Sequence, residues 1–416
     1  MIREVDILIA GAGPAGCAAA YDLAQAGKHV ILLDKRSFPR HKPCACGLTR
    51  KTLKALRYSV DPVIERVCHE IVLQPNTDPD ASQSRTADVR VKTRNPICAM
   101  AVRERFDDFC LQQTLLAARQ GSSIELRKID RIAALRELPD FIELDVATSR
   151  GLETLRAPIL LGADGSNGQT RRLSQQGEAL SQDDGFALEA TVPYTDLPAT
   201  LPNGAHPHDL VFDFAPLSGG YGWLFPKADH INIGVGAFAP TSPRNPDAPP
   251  MTASSSWVGS QDLKKVTRAL LLDYAHQKLG VTTLSHITGQ QLGMGGHNYI
   301  PSGRVLLVGD AAGLVDPLTG EGIHSAIVSG QAAAAAILEC DLNDQPNDVA
   351  AAYARHLSPL LKTLTFSHRA ARAFYAQPER GFKAMRLPFM RSLILKTYAD
   401  GIPHTGLLTA LAKLTI

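Results

Sequence analysis

Apolar positions first occur as unbroken runs. Val5–Ala10 and Val30–Leu33 have the pattern of strands buried on both faces of a parallel sheet. The alanine-rich stretch between them predicts a helix over 14–26, ended by Gly27. Residues 35–50 are basic, contain proline and read as a loop. Residues 103–120 predict another helix, with Phe106, Phe109, Leu111 and Leu115 on its apolar face. Residues 124–160 read as short strands and turns ending in a strand, Ala157–Leu161, and 183–240 are strand-rich. Residues 241–260, rich in Pro, Ser and Asn, predict an exposed loop, and 262–279 a helix. A strand at Arg304–Val308 then precedes a long alanine-rich helix over 321–340, and the chain from 347 on reads as largely helical. No internal repeat is present.

This order predicts an α/β fold: a doubly wound, Rossmann-like cofactor domain split in sequence around a β-rich substrate domain. The cofactor domain is expected at 1–75, 103–182 and 291–345, the substrate domain at 76–102 and 183–290, and a helical C-terminal region at 346–416.

Composition narrows the function classes. The 416 residues are 44% hydrophobic and 20% charged, an ordinary soluble profile, and a net charge of +2 implies no polyanion partner. No nucleic acid is expected. No secretory signal pattern precedes Val5, and no apolar run is long enough to span a bilayer. The seven cysteines are odd in number and lack framework spacing, which fits a reducing cytoplasm.

Two glycine-rich segments carry the chemistry. Gly11-Ala-Gly13-Pro-Ala15-Gly16 follows a predicted strand and opens a predicted helix, and Asp34 closes the next strand about 20 residues on. Gly11 serves the tight turn, Gly13 a close approach of backbone to a pyrophosphate, and Gly16 helix–strand packing. Asp34 is placed to accept hydrogen bonds from ribose hydroxyls. Far along the chain, Gly303–Ile323 contains Gly309-Asp310 at the end of a strand and Gly320-Glu-Gly322 at the start of a helix. A carboxylate at Asp310 suits ribityl hydroxyls, and free N–H groups after Gly322 suit the anionic edge of a reduced flavin. Two such segments on one chain point to a long dinucleotide, FAD. A third, Asp164-Gly165 after the strand Ala157–Leu161, is turn chemistry when taken alone.

Together the three segments resemble those of the para-hydroxybenzoate hydroxylase-like flavoproteins, over most of the first 340 residues. Arg103, ahead of Phe106-Asp107, looks like that group's cofactor-contacting arginine. Within the group the chain is similar to geranylgeranyl reductases. Lys42-Pro-Cys44-Ala45-Cys46-Gly47 resembles their cysteine loop, with Cys44 aligned to the family cysteine and Cys46 the other choice. Tyr221-Gly-Trp223-Leu-Phe225-Pro226 resembles their Tyr-x-Trp-x-Phe-Pro signature, although Ser218 stands where the family has proline. Gly313–Ile323, including Pro317-Leu-Thr-Gly320, resembles their loop over the flavin. The resemblance implies cofactor contacts at Gly11, Gly13, Ala15, Gly16, Asp34, Lys35, Cys44, Ala45, Arg103, Asp164, Gly165, Gly309, Asp310, Pro317, Gly320, Gly322 and Ile323. It implies catalytic residues at Cys44, Tyr221, Trp223 and His324, and reduction of C=C bonds in a polyprenyl lipid.

The residues agree with this in part. Tyr221, Trp223 and Phe225 alternate, so a strand puts them on one face, a wall suited to an isoprenoid tail or simply an aromatic core. Cys44 and Cys46, with His41 nearby, lack a second pair at zinc-ligand spacing, so no metal is expected; a structural thiol and one beside the flavin both remain open. His324 lies either in the pocket or on a helix surface. One dinucleotide fingerprint is complete, so the electron donor, NAD(P)H or a ferredoxin-like protein, is expected to visit transiently. Arg380, Lys383, Arg386, Arg391 and Lys396 alternate with Phe382, Met385, Leu387, Phe389, Met390, Leu393, Ile394 and Leu395. That mixture reads as a peripheral membrane contact or as a helical cap broken at Pro388 and Pro403. An aromatic-ring monooxygenase and a flavin-bearing protein without turnover remain as alternatives. A halogenase is disfavoured by the lack of a Trp-x-Trp-x-Ile-Pro run.

Overall fold

A computed structural model describes residues 2–75, 88–174, 183–202, 205–217, 219–239, 263–340 and 346–401. The predicted loop 241–260, Ser218 and Pro403 lie outside the described residues. The architecture is mixed α/β, as the sequence pattern predicts. A five-stranded sheet is ordered Val305–Leu307, Ile159–Gly162, Ile7–Ala10, His29–Asp34, Ser123–Lys128. All of its pairings are parallel, and Leu161 sits opposite Ile9, which sits opposite Leu32. The central strands are buried in one core with the alanine-rich helices Pro14–Gln25 and Ile323–Glu339 and with Ile142, Leu144 and Leu155 of a four-stranded sheet, which is why they read as continuous apolar runs.

The helix Pro14–Gln25 packs on the helix Ile323–Glu339 at very short range. A Cβ added at Gly330 would stand 2.2 Å from the Ala15 carbonyl oxygen. Small residues on both helices bring the first and last cofactor-type segments side by side.

A second sheet has seven strands in the order Thr288–Met294, Asp183–Pro193, His230–Ala239, Gly220–Pro226, Val211–Asp213, Glu70–Gln74, Val89–Lys92. Its pairings are antiparallel except Val211–Asp213 with Glu70–Gln74. One face packs on the helix Arg268–Leu279 through Leu271, Tyr274, Ala275 and Leu279. That helix starts at 268 because the Thr267 hydroxyl caps the Leu270 N–H, and it ends at Gly280 in the left-handed region, φ 71°. The opposite face carries the aromatic residues.

Several boundaries differ from the pattern. The strand expected at Val5–Ala10 is shortened to Ile7–Ala10, because the Asp6 carboxylate before it accepts the His29 N–H, and a separate strand, Ile2–Glu4, lies in the four-stranded sheet. The strand expected at Ala157–Leu161 is Ile159–Gly162, since Pro158 separates it from Gly151–Ala157 in the other sheet. The loop expected over 35–50 contains a short strand, Gly47–Thr49.

The C-terminal helices are Pro346–Ala376, Pro378–Met385 and Pro388–Asp400. Pro388 opens a helix rather than breaking one, its missing N–H being needless in the first turn. Phe382 and Met385 are buried against Val89 and Phe214, and Leu395 is buried in the aromatic cluster. Among the described residues no helix is long and apolar enough to cross a membrane.

Candidate functional site

A cavity of about 580 Å³ lies between the carboxyl ends of the parallel strands and the aromatic face of the seven-stranded sheet. It is within the usual range for small-molecule sites. Gly11, Gly13, Ala15, Asp34 and Lys35 line one part. Gly11 has φ 110°, and a Cβ there would stand 2.3 Å from the Ala163 carbonyl oxygen; at Gly16 a Cβ would stand 1.9 Å from the Gly11 carbonyl oxygen. These positions take only glycine. At Gly13 the nearest atom, Arg40 Nη2, is 3.6 Å from a Cβ, so its backbone faces open space. The helix Pro14–Gln25 has no side-chain cap, which leaves its first N–H groups free for an anion. The Asp34 carboxylate accepts the Ala12 and Arg36 N–H groups at 2.9 and 2.8 Å, which fixes it at the cavity edge.

Asp164 and Gly165 line the middle. Asp164 Oδ2 accepts the Thr170 N–H at 2.9 Å, while its buried Oδ1 has no partner in the protein, and burial raises the carboxyl above its ordinary range. An orphaned buried acceptor on a cavity wall fits a ligand with hydroxyl or N–H donors. Asp310, Gly320, Gly322 and Ile323 close that side. The glycine cradle, the uncapped helix start and the orphaned carboxylate oxygen together fit a dinucleotide.

The loop that includes Pro317–Gly322 is pinned from three directions. Asp316 Oδ1 accepts the Leu318 and Thr319 N–H groups, its Oδ2 accepts the Ser367 hydroxyl at 2.8 Å, and the Tyr375 hydroxyl donates to the Leu318 carbonyl. The Tyr221 hydroxyl donates to the Thr319 carbonyl, which ties the loop to the aromatic wall. One of the N–H groups expected to be free after Gly322 is occupied: Glu321 Oε1 accepts the His324 N–H at 2.6 Å.

Tyr221, Trp223 and Phe225 share the cavity face of their strand, as their alternation predicts. Phe212 and Phe238 complete the wall. The Phe212 ring centroid is 5.3 Å from those of Tyr221 and Phe225, and Phe238 lies 5.5 Å from Tyr221. The Trp223 indole lies across Gly234, and its N–H donates to Asn232 Oδ1 at 2.7 Å. Burial holds the Tyr221 phenol well above its ordinary range, so it stays protonated.

Cys44, Ala45 and Cys46 lie in the irregular segment before the strand Gly47–Thr49, and all three line the cavity. Cys46 is held at φ 48°, and its N–H points to Cys44 Sγ at 3.3 Å. Glu189 Oε1 accepts the Cys44 N–H at 2.8 Å. The buried Lys227 ammonium donates to the Ala45 carbonyl, and burial lowers its pKa. Arg103, also on the wall, makes a two-pronged contact with Asp107 at 2.8 Å on each prong.

Gly16, Gly309, Pro317 and His324 are not among the lining residues. Gly16 and Gly309 sit beneath the surface as close-packing points. His324 follows Ile323 by one residue, a rotation of about 100° round the helix, which turns it off the wall Ile323 forms. Its imidazole is half-buried, and burial, then Lys51, pushes its pKa down to about 3. Sequence reasoning did not single out Glu189, Asn232, Lys227, Phe212, Phe238 or Asp316. A charge inside the apolar run Phe186-Ala-Leu-Glu189-Ala was the available signal for the first.

The FAD binding domain family matches residues 4–364 of this chain. Digeranylgeranylglycerophospholipid reductase 3 of Methanosphaera stadtmanae is 26% identical over 83% of this chain and 81% of its own length. A geranylgeranyl bacteriochlorophyll reductase-like protein of Thermoplasma acidophilum superposes with a TM-score of 0.68 at 19% identity, covering 89% of this chain and 88% of that one. A flavin-dependent brominase superposes equally well, with a TM-score of 0.68 at 16% identity over 95% and 93% of the two chains. At these identities the two structures establish the fold alone.

Proposed function

The chain belongs to the FAD binding domain family, with FAD as its cofactor, and from that premise we propose that it reduces C=C bonds in a polyprenyl, geranylgeranyl-type lipid. The observation that carries this reading is the continuity of the cavity from the glycine cradle to a wall of five aromatic rings, Phe212, Tyr221, Trp223, Phe225 and Phe238. The similarity to digeranylgeranylglycerophospholipid reductase supports it.

Bound and reduced, FAD supplies a hydride equivalent. The chain does the rest. Gly11 and Gly13 admit the pyrophosphate to the start of the helix Pro14–Gln25, Asp34 holds the ribose, and Asp164 and Asp310 hold further hydroxyls or N–H groups. The aromatic wall takes the apolar tail out of water and sets its position. Tyr221 spends its proton on the Thr319 carbonyl, so it fixes the loop that includes Pro317–Gly322 against the wall. Cys44 and Trp223 border the same space, and His324 stands one residue behind it. In this reading 1–75, 103–182 and 291–345 form the cofactor domain, and 76–102 and 183–290 the substrate domain, with 346–416 as the C-terminal helical part. The donor, NAD(P)H or a ferredoxin-like protein, comes and goes.

Mass spectrometry of the purified protein tests the proposal. Co-purified FAD and an unsaturated polyprenyl lipid, which gains hydrogen when dithionite is added without oxygen, are expected. A flavin-free protein overturns it.

A further inference from the structure

Saturating a C=C bond takes a proton as well as a hydride equivalent. Two donors on the aromatic wall are engaged elsewhere: the Tyr221 hydroxyl bonds the Thr319 carbonyl, and the Trp223 N–H bonds Asn232. Glu189 stands on the same face. Sheet register puts it opposite Gly234, which is opposite Trp223, so the three form one cross-strand row. Because Gly234 has no side chain, the indole lies down on the backbone. Glu189 is 7% exposed and lines the cavity.

Its surroundings suit a carboxyl that alternates between two forms. Cys44 N–H donates to Oε1 at 2.8 Å. Asn232, whose oxygen is taken by the indole, donates its amide to the same carboxyl. The basic side chains facing it are His41 on the cysteine loop and Lys227 at the end of the Trp223 strand. Burial outweighs all four of these, and the carboxyl is raised above its ordinary range. A carboxyl shifted toward its neutral form is also compatible with an apolar tail beside it.

We propose that Glu189 is the proton donor of this cavity, giving its carboxyl proton to one carbon of the C=C bond while the hydride equivalent from reduced flavin goes to the other. The inference rests on the reductase reading above. The Glu189 O–H bond breaks, and the π electron pair forms the new C–H bond. The hydride brings its own pair to the adjacent carbon, and the flavin is oxidised by two electrons. Glu189 is left as a carboxylate, held by the Cys44 N–H and the Asn232 amide, and recovers a proton from solvent.

The test uses the flavin-loaded protein and Glu189→Gln, with two readouts. Infrared difference spectroscopy over a pH titration is expected to reveal a protonated carboxyl band in the wild type near neutral pH that E189Q lacks. Anaerobic single turnover of a geranylgeranyl lipid by dithionite-reduced protein is expected to slow about 100-fold or more in E189Q, the usual scale of a general acid, with flavin content unchanged. The wild-type rate should fall on the alkaline side with the pKa of that band, and E189Q should lose this limb. A wild type without the band, or an E189Q with the wild-type rate and pH profile, overturns the role of Glu189 and leaves the reductase reading standing. A wild type that reduces no polyprenyl lipid overturns that reading and the proposal with it. Should E189Q fail to retain flavin, Glu189→Asp decides: the acid is withdrawn by one methylene, so the band should persist while turnover slows roughly tenfold or more. An unchanged rate in E189D overturns the proposal.

Discussion

Two residues test the packing of the site directly. A Cβ at Gly234 would stand 2.0 Å from the Trp223 ring, so Gly234→Val must displace the indole or bend the strand. We expect it to cost about 1–3 kcal/mol, the usual scale of overpacking. Denaturant unfolding, with the near-ultraviolet tryptophan signal as a monitor, reads both effects. An unchanged midpoint and spectrum would contradict the described contact. His324 gives a pH signature. Its ordinary pKa is 6.5 and its folded value about 3, so between those limits the unfolded chain binds the extra proton. Its contribution to stability is therefore full above about pH 6.5 and is lost as pH falls toward 3. His324→Asn should flatten the acid side of the stability profile, measured as unfolding midpoint against pH. Parallel profiles would show that His324 is not desolvated. Neither feature was legible in the sequence. A glycine under an indole and a histidine turned away from its neighbour's wall depend on cross-strand register and helix phase.

At the scale of elements, the loop that includes Pro317–Gly322 owes its shape to Asp316. That carboxylate bonds two backbone N–H groups and the Ser367 hydroxyl. Asp316→Ala should cost about 1.5–3 kcal/mol for hydrogen bonds to a charged group. It should also weaken flavin retention, read by titration of the apoprotein with FAD, because the loop lines the cavity at Thr319–Gly322. Wild-type flavin affinity would separate the loop from the cofactor. The central parallel strands were legible because Ile7–Ala10, Val30–Leu33 and Ile159–Leu161 are apolar on both faces, and the cofactor helices because they are rich in alanine. Their ends were less so. Asp6, Pro158 and Thr267 set boundaries through one hydrogen bond or one missing N–H, and periodicity does not register these.

At the scale of the whole molecule, the site exists because two sheets meet. The parallel sheet contributes Gly11, Asp34, Asp164 and Asp310, all singled out from sequence by glycine spacing and strand ends. The seven-stranded sheet contributes Tyr221, Trp223 and Phe225, legible from their alternation. Phe212, Phe238 and Glu189 were not, because they join that face only through the order in which its strands pair. The C-terminal residues Phe382, Met385 and Leu395, legible as apolar and interleaved with basic positions, are packed inside the molecule against aromatic clusters.

In the proposed function, one cavity joins reduced FAD to an isoprenoid C=C bond. The most direct measurement is anaerobic stopped-flow mixing of the photoreduced, flavin-loaded protein with a geranylgeranyl lipid. Absorbance follows flavin oxidation, and mass spectrometry counts the bonds saturated. Flavin oxidation without oxygen is expected, with one bond saturated for each flavin oxidised. Flavin that stays reduced until oxygen is admitted, with the lipid unchanged, would contradict it.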